Sequence, residues 1–247
     1  MLTLEKNCES LKEFVQLSTP ENIKEQDFEL DNNYMIKLTK ENAKKARTCI
    51  RNDARYKKSS YEEYYEALGK KLTDYSLDEL EKIIGYIATA NSTRSPKESI
   101  CALAKYIYAN RNTFLKKLEC GDISIIEELE NVKTPRHEKS LISKICRYLC
   151  ELEFEKINFI INDNVVRSIL PYYLDFYDVD KSLWTKKGEI IEFDNLPYSK
   201  LHNLIEEVRN SVFENLTLGN IDDILWYCYK NDNVRTSIAQ GIVLKDL

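Results

Sequence analysis

The chain has 247 residues, with 36 Lys and Arg against 41 Asp and Glu, a formal net charge of −5 and 43% hydrophobic residues. That is the composition of a globular chain long enough to bury a core, not of a disordered or fibrous one. Its six glycines lie at least 16 residues apart and its two histidines 65 apart. This excludes a GxGxxG or Walker A phosphate loop, a GxSxG nucleophile elbow and HExxH zinc chemistry. Catalysis, if any, rests on carboxylate, lysine, tyrosine, serine or cysteine.

In chain order, MLTLEKNCESLKEF interleaves apolar and charged residues. This predicts a helix over 2–17 and lacks the uncharged run of a secretory leader, so a cytoplasmic chain is expected. No apolar run approaches the ~20 residues of a membrane span, and no membrane partner is expected. YMIKL (34–38) carries a strand signal, followed by helical periodicity over 39–52, 60–70 and 76–90. Ser76 and Glu79 have the spacing of a capping box. Pro96 opens a predicted helix over 96–118, followed by helices over 122–131 and 137–152. An extended apolar NFII (158–161) leads to a helix over 164–177, which Pro171 is expected to kink or end. LWT (183–185) and GEIIEF (188–193) predict a hairpin across Lys186-Lys187-Gly188. Helices over 198–214, 218–230 and 233–243 complete the reading. The fold class is mostly α with a minor β-hairpin. A single domain over 1–247 is expected, with lobes at 1–132 and 133–247.

Seven cysteines at irregular spacing fit buried or free thiols in a reducing compartment. Cys146 and Cys150 share a helix face and read as buried thiols, with no metal site expected. Most tyrosines read as packing residues, and His137-Glu138 as capping and solvent-facing.

Charge is uneven. Residues 40–58 carry a net +6 and residues 133–147 a net +4, so the rest of the chain is strongly acidic. An acidic chain with basic segments still binds nucleic acid locally, because attraction to phosphate acts within about 10 Å at physiological salt. Two solvated helix faces are the plain alternative.

The stretch 134–177 is the most informative. Its first helix has an apolar stripe of Leu141, Ile145, Tyr148, Leu149 and Leu152, with Lys144 at the rim. At such a position, desolvation and neighbouring cations lower an amine's pKa and make it nucleophilic. Ser140, Lys144 and Arg147 share one face. Asp163 stands at the start of the following helix, where backbone N–H groups and the helix dipole favour a carboxylate. A plain N-cap is its structural reading.

Lys144 and Asp163 are 19 residues apart, across a helix, an apolar extended segment and an Asp-capped helix. Ser140-Leu141-Ile142-Ser143-Lys144, followed by FIINDNVVR (159–167), resembles the helix-hairpin-helix DNA glycosylase superfamily. The nearest likeness is to its bacterial branch with an 8-oxoguanine-glycosylase fold. LTLGNIDDILWYCYK (216–230) resembles that branch's last helix. The resemblance implies a two-lobed helical fold acting as a monomer on double-stranded DNA, with the target base flipped out of the stack. It implies Lys144 as the Schiff-base nucleophile and Asp163 as the carboxylate that stabilises the developing sugar cation, without metal or organic cofactor. The superfamily's glycine-containing hairpin is missing here. Arg136, Lys139 and Ser140, with Arg147, would grip DNA in its place. The four-cysteine iron–sulfur motif of some relatives is also missing. Upstream, Asn91-Ser92-Thr93-Arg94 matches the loop that enters the duplex. By that match Asn91 fills the gap and Arg94 reads the orphaned base. A polar helix–helix turn is the alternative.

The expected function is a DNA base-excision glycosylase with lyase activity, in repair or in defence against modified foreign DNA. Without a nucleophilic Lys144, Asp163 would activate water instead. Two alternatives stay open: a non-catalytic nucleic-acid- or protein-binding module on a glycosylase scaffold, and a helical regulatory protein with no DNA role.

Overall fold

The computed structural model describes residues 28–30, 35–53, 60–91, 93–187 and 189–229. The helices expected over 2–17 and 233–243, and the basic residues Arg55, Lys57 and Lys58, lie outside the described residues. Helix dominates the rest, as the 3.6-residue periodicity requires. In chain order the helices are α1 (Lys40–Asn52), α2 (Ser60–Leu68), α3 (Leu77–Ala90), α4 (Lys97–Ala109), α5 (Arg111–Cys120), α6 (Ser124–Glu130), α7 (Lys139–Phe154), α8 (Asn164–Phe176), α9 (Tyr198–Ser211) and α10 (Leu218–Asp222). Thr185–Lys186 (β1) and Glu189–Ile190 (β2) pair antiparallel, with Thr185 opposite Ile190, which gives a hairpin at the expected place but shorter than expected, with Lys186 in β1 rather than in the turn. Among the described residues of YMIKL (35–38), Ile36 forms one isolated bridge with Leu30. NFII forms no ladder among the described residues. Among them, no helix is long and apolar enough to cross a membrane.

The chain divides into two compact units, Asn52–Asn162 and Met1–Arg51 with Asp163–Leu247. The 132/133 boundary drawn from sequence falls inside the first of these, because α7 packs on α3, α5 and α6. Lys144 and Asp163 therefore belong to different units.

In the unit 52–162, the reciprocal Ser76–Glu79 capping box starts α3: Glu79 N donates to Ser76 Oγ at 3.3 Å and Ser76 N to Glu79 Oε2 at 2.7 Å. The apolar stripe of α3 buries Leu80, Ile83, Ile84 and Ile87. Each such side chain contributes about 1.5–3 kcal/mol when removed from water. The helix expected over 96–118 is two helices, broken at Asn110. Gly121, at φ 72°, ends α5 in the left-handed region. A Cβ there would stand 3.2 Å from Asn158 Cβ. Asn158 Nδ2 donates to Leu118 O and Glu119 O, each at 3.2 Å. These bonds cap α5 and fix the start of the buried segment Phe159–Ile161.

In the other unit, Tyr173 OH donates to Ile36 O at 2.7 Å and Tyr229 OH accepts from Ile36 N at 3.0 Å. This satisfies the backbone of a segment with little sheet of its own. Pro171 neither ends nor interrupts α8, which runs on to Phe176. Residues Val166–Leu174 are all buried, and α8 packs on α9 and on the turn 223–227. That burial outweighs the roughly 3 kcal/mol cost of an internal proline.

Candidate functional site

Within the unit 52–162, α7 is buried on every face from Leu141 to Cys150. Lys144 is not a rim residue but 3% exposed. The single-stripe projection assumed a polar side open to water, whereas this helix is covered all round. Lys144 Nζ donates to Ser140 Oγ at 3.0 Å, one turn back. Ser143 Oγ donates to Ser140 O at 3.1 Å and accepts from Asn162 N at 2.9 Å. The end of the apolar segment is thereby pinned to the residue before Lys144. Arg147, expected on the DNA face, is 2% exposed and donates to Glu151 Oε2 at 2.5 Å. Its guanidinium carbon lies 5.4 Å from the Tyr148 ring centroid.

Asn91 is the C-cap of α3 and is buried. Its Nδ2 donates to Ile87 O at 2.9 Å, and its Oδ1 accepts from Tyr148 OH at 3.1 Å. Its amide therefore serves the helix end and the packing of α7. Ser92 lies outside the described residues. Arg94 is exposed, with φ 51°. Arg136 donates from Nε to Glu138 Oε1 at 2.9 Å and from Nη2 to Thr93 O at 2.7 Å. Ser95 Oγ donates to Glu138 Oε2 at 2.7 Å. Glu138 was expected to face solvent, yet its side chain is 2% exposed. Burial pushes its carboxyl up, but the hydrogen bonds from Arg136 and Ser95 outweigh this and hold it below the ordinary value. Two loops that the sequence separates by about 40 residues are thus tied together. Lys139, the first residue of α7, and Ser140 are half-buried, and His137 and Lys133 are exposed.

In the other unit, Asp163 is the N-cap of α8: its Oδ1 accepts from Val165 N at 3.1 Å and Val166 N at 3.3 Å. Its Oδ2 accepts from Trp226 Nε1 at 2.8 Å. Trp226 stands in a π turn, Asp223–Tyr227, that follows α10. Such turns recur at functional sites because the extra residue re-aims side chains. Asp223 in the same turn pairs with Arg47 at 3.5 Å. Arg167, the last residue of the FIINDNVVR match, is buried and donates to Phe193 O and Leu196 O. It anchors the turn after β2.

Among the described residues, no group of three or more His, Cys, Asp or Glu is placed to hold a metal ion. Cys146, Cys150 and Cys228 are buried, and burial pushes their thiols up, which disfavours thiolate chemistry. A shallow cleft of about 350 Å³ between α3 and α4 is lined by Asp78, Glu81, Lys82, Lys97 and Cys101. Burial and a hydrogen bond to Glu81 push the Cys101 thiol up as well. Sequence reasoning missed Trp226 and the tie made by Glu138. Trp226 had one visible signal, its place in the 216–230 stretch. Glu138 had none beyond its position at a helix start. No protein family, no curated protein and no solved structure matches the chain.

Proposed function

We propose that the protein is a DNA base-excision glycosylase with Schiff-base lyase activity. Lys144 supplies the amine. Its Nζ forms a bond to C1′ as the glycosidic bond breaks, and that bonding pair leaves with the base. Opening of the sugar ring gives a protonated Schiff base that permits strand cleavage. Asp163 stabilises the positive charge that develops on the deoxyribose. The observation that carries this reading is the hydrogen bond from Asn162 N to Ser143 Oγ at 2.9 Å. It joins the residue before Asp163 in the chain to the residue before Lys144, so the apolar segment ends at the lysine's own turn of helix. A buried amine on a polar turn of Ser140 and Ser143 supports the role given to Lys144.

A second reading, a non-catalytic binding module on the same scaffold, is favoured by the engagement of Asp163 as a helix cap and indole acceptor. Borohydride trapping on duplex DNA carrying an abasic site separates the two. Covalent capture of the protein supports the enzyme. No capture, together with no base release from a panel of modified duplexes, leaves the binding module.

A further inference from the structure

The sequence offers Asn91 and Arg94 on one loop and Arg136 and Lys139 on another as separate DNA contacts. In the structure both neighbours of Arg94 are tied to one buried carboxylate cluster. Thr93 O accepts from Arg136 Nη2 at 2.7 Å, and Thr93 N donates to Ala88 O at 3.1 Å. Ser95 Oγ lies 2.7 Å from Glu138 Oε2 and 3.1 Å from Thr93 Oγ1. Held at both sides, Arg94 takes a left-handed backbone at φ 51° with its side chain exposed. A non-glycine residue in that region costs roughly 1–2 kcal/mol. The surrounding bonds must therefore over-determine it. Arg136 keeps an exposed edge: its side chain is 45% exposed, and among the described residues its Nη1 has no partner. Lys133 and Lys139, three residues before and after it in the chain, are exposed and half-exposed.

We infer that these two loops form one preassembled surface for the phosphate backbone of duplex DNA, with Glu138 as the positioning residue that joins them. The choice of partner rests on the proposed function. The geometry explains how a chain without a glycine hairpin presents cations to phosphates. Side chains held by an internal carboxylate replace backbone N–H groups. Glu138 carries the wrong charge to bind phosphate itself, so any contribution it makes must be through the loops it holds.

This gives a test in which electrostatics and positioning have opposite signs. Replacing Glu138 with Ala adds one net positive charge, which by itself strengthens binding to a polyanion. Binding of the full chain to a fluorescein-labelled duplex is measured by anisotropy, with folding checked by circular dichroism. If Glu138 positions the loops, Glu138→Ala weakens binding about tenfold in spite of the added charge, and the salt dependence flattens. Glu138→Gln keeps one oxygen to accept from Arg136, and its amide N–H can donate to the Ser95 hydroxyl, so it retains wild-type affinity or better. Equal or tighter binding by Glu138→Ala overturns the inference. If Glu138→Ala does not fold, Ser95→Ala decides: a loss of about threefold supports the tie, and unchanged affinity overturns it. A wild-type chain that binds no duplex at low salt overturns both this inference and the proposed function. A chain that is trapped by borohydride on abasic DNA, yet is indifferent to Glu138→Ala and Ser95→Ala, overturns the inference alone.

Discussion

Lys144 and Asp163 are held in opposite ways, each within its own unit. Asp163 is fixed by groups that cannot turn: two backbone N–H groups of its own helix and the indole of Trp226 at 2.8 Å. Lys144 is buried, yet its amine meets a hydroxyl, Ser140 Oγ, that rotates freely about its own bond. A charge that only stabilises a transition state gains from being immobile, since preorganised dipoles need no rearrangement during reaction. A nucleophile must travel to form a bond, and a long flexible side chain with an exchangeable partner can do so. On the proposed function, the contrast suits the carboxylate to the fixed role and the amine to the moving one.

The largest effect expected is for Lys144→Gln. Gln still donates toward Ser140 but has no nucleophilic amine, so borohydride trapping and strand cleavage disappear while some base release remains. Single-turnover kinetics at saturating enzyme is the measurement. Cleavage at the wild-type rate there removes Lys144 from the chemistry and reduces the contrast to two structural residues.

Next comes Asp163→Asn, which should lower base release by about 10²–10³. Asn is a competent N-cap, so the cap itself should lose about 1 kcal/mol or less in urea unfolding, to which the lost Trp226 bond adds roughly 1–3 kcal/mol. Its one carbonyl oxygen cannot serve both the cap and Trp226, which separates the two duties of the carboxylate. A wild-type rate of base release would leave Asp163 as a cap only.

Trp226→Phe tests whether the carboxylate must be immobile. It keeps an aromatic ring in a buried position but removes the donor to Asp163 Oδ2. Base release should fall about tenfold through kcat, with KM for the duplex little changed, because the lost hydrogen bond to a charged group is worth roughly 1.5–3 kcal/mol. An effect confined to thermal stability would make Trp226 a packing residue.

What the sequence made legible follows from how local each determinant is. The start of α3 was readable because Ser76 and Glu79 are three residues apart, and the hairpin because its turn lies between its strands. The break at Asn110 carries no Pro or Gly and was invisible. Pro171 does not end its helix because its cost is local while the packing that holds the helix together comes from α9 and the turn 223–227. Lys144 and Asp163, each in its own unit, stood out through residue type and spacing. Their surroundings did not: Trp226 is 63 residues from Asp163 and Glu138 is 43 from Ser95. The burial of Lys144 was missed for the same reason, since one helix's periodicity does not reveal what covers its other face.

The smallest effect expected is for Ser140→Ala, and it bears most directly on the mobility of the amine. The substitution removes the hydroxyl that Lys144 Nζ meets at 3.0 Å but leaves the carbonyl of residue 140, which accepts from Ser143 Oγ at 3.1 Å. The helix start is therefore kept, and the net loss of one hydrogen bond of this kind is about 0.5–1.5 kcal/mol. If Ser140 merely parks an amine that must leave it to react, two changes oppose each other. The resting amine is less well held, which weakens the folded state, and it has one bond fewer to break on the way to C1′. The rate of borohydride trapping should then change by no more than about threefold in either direction, well short of the complete loss for Lys144→Gln. A loss of trapping as complete as that of Lys144→Gln, in a variant that folds normally, would mean that Ser140 takes part in the reaction. The hydroxyl would then be a proton acceptor for the amine, and the distinction between a fixed carboxylate and a mobile amine would give way to a Ser–Lys pair acting together.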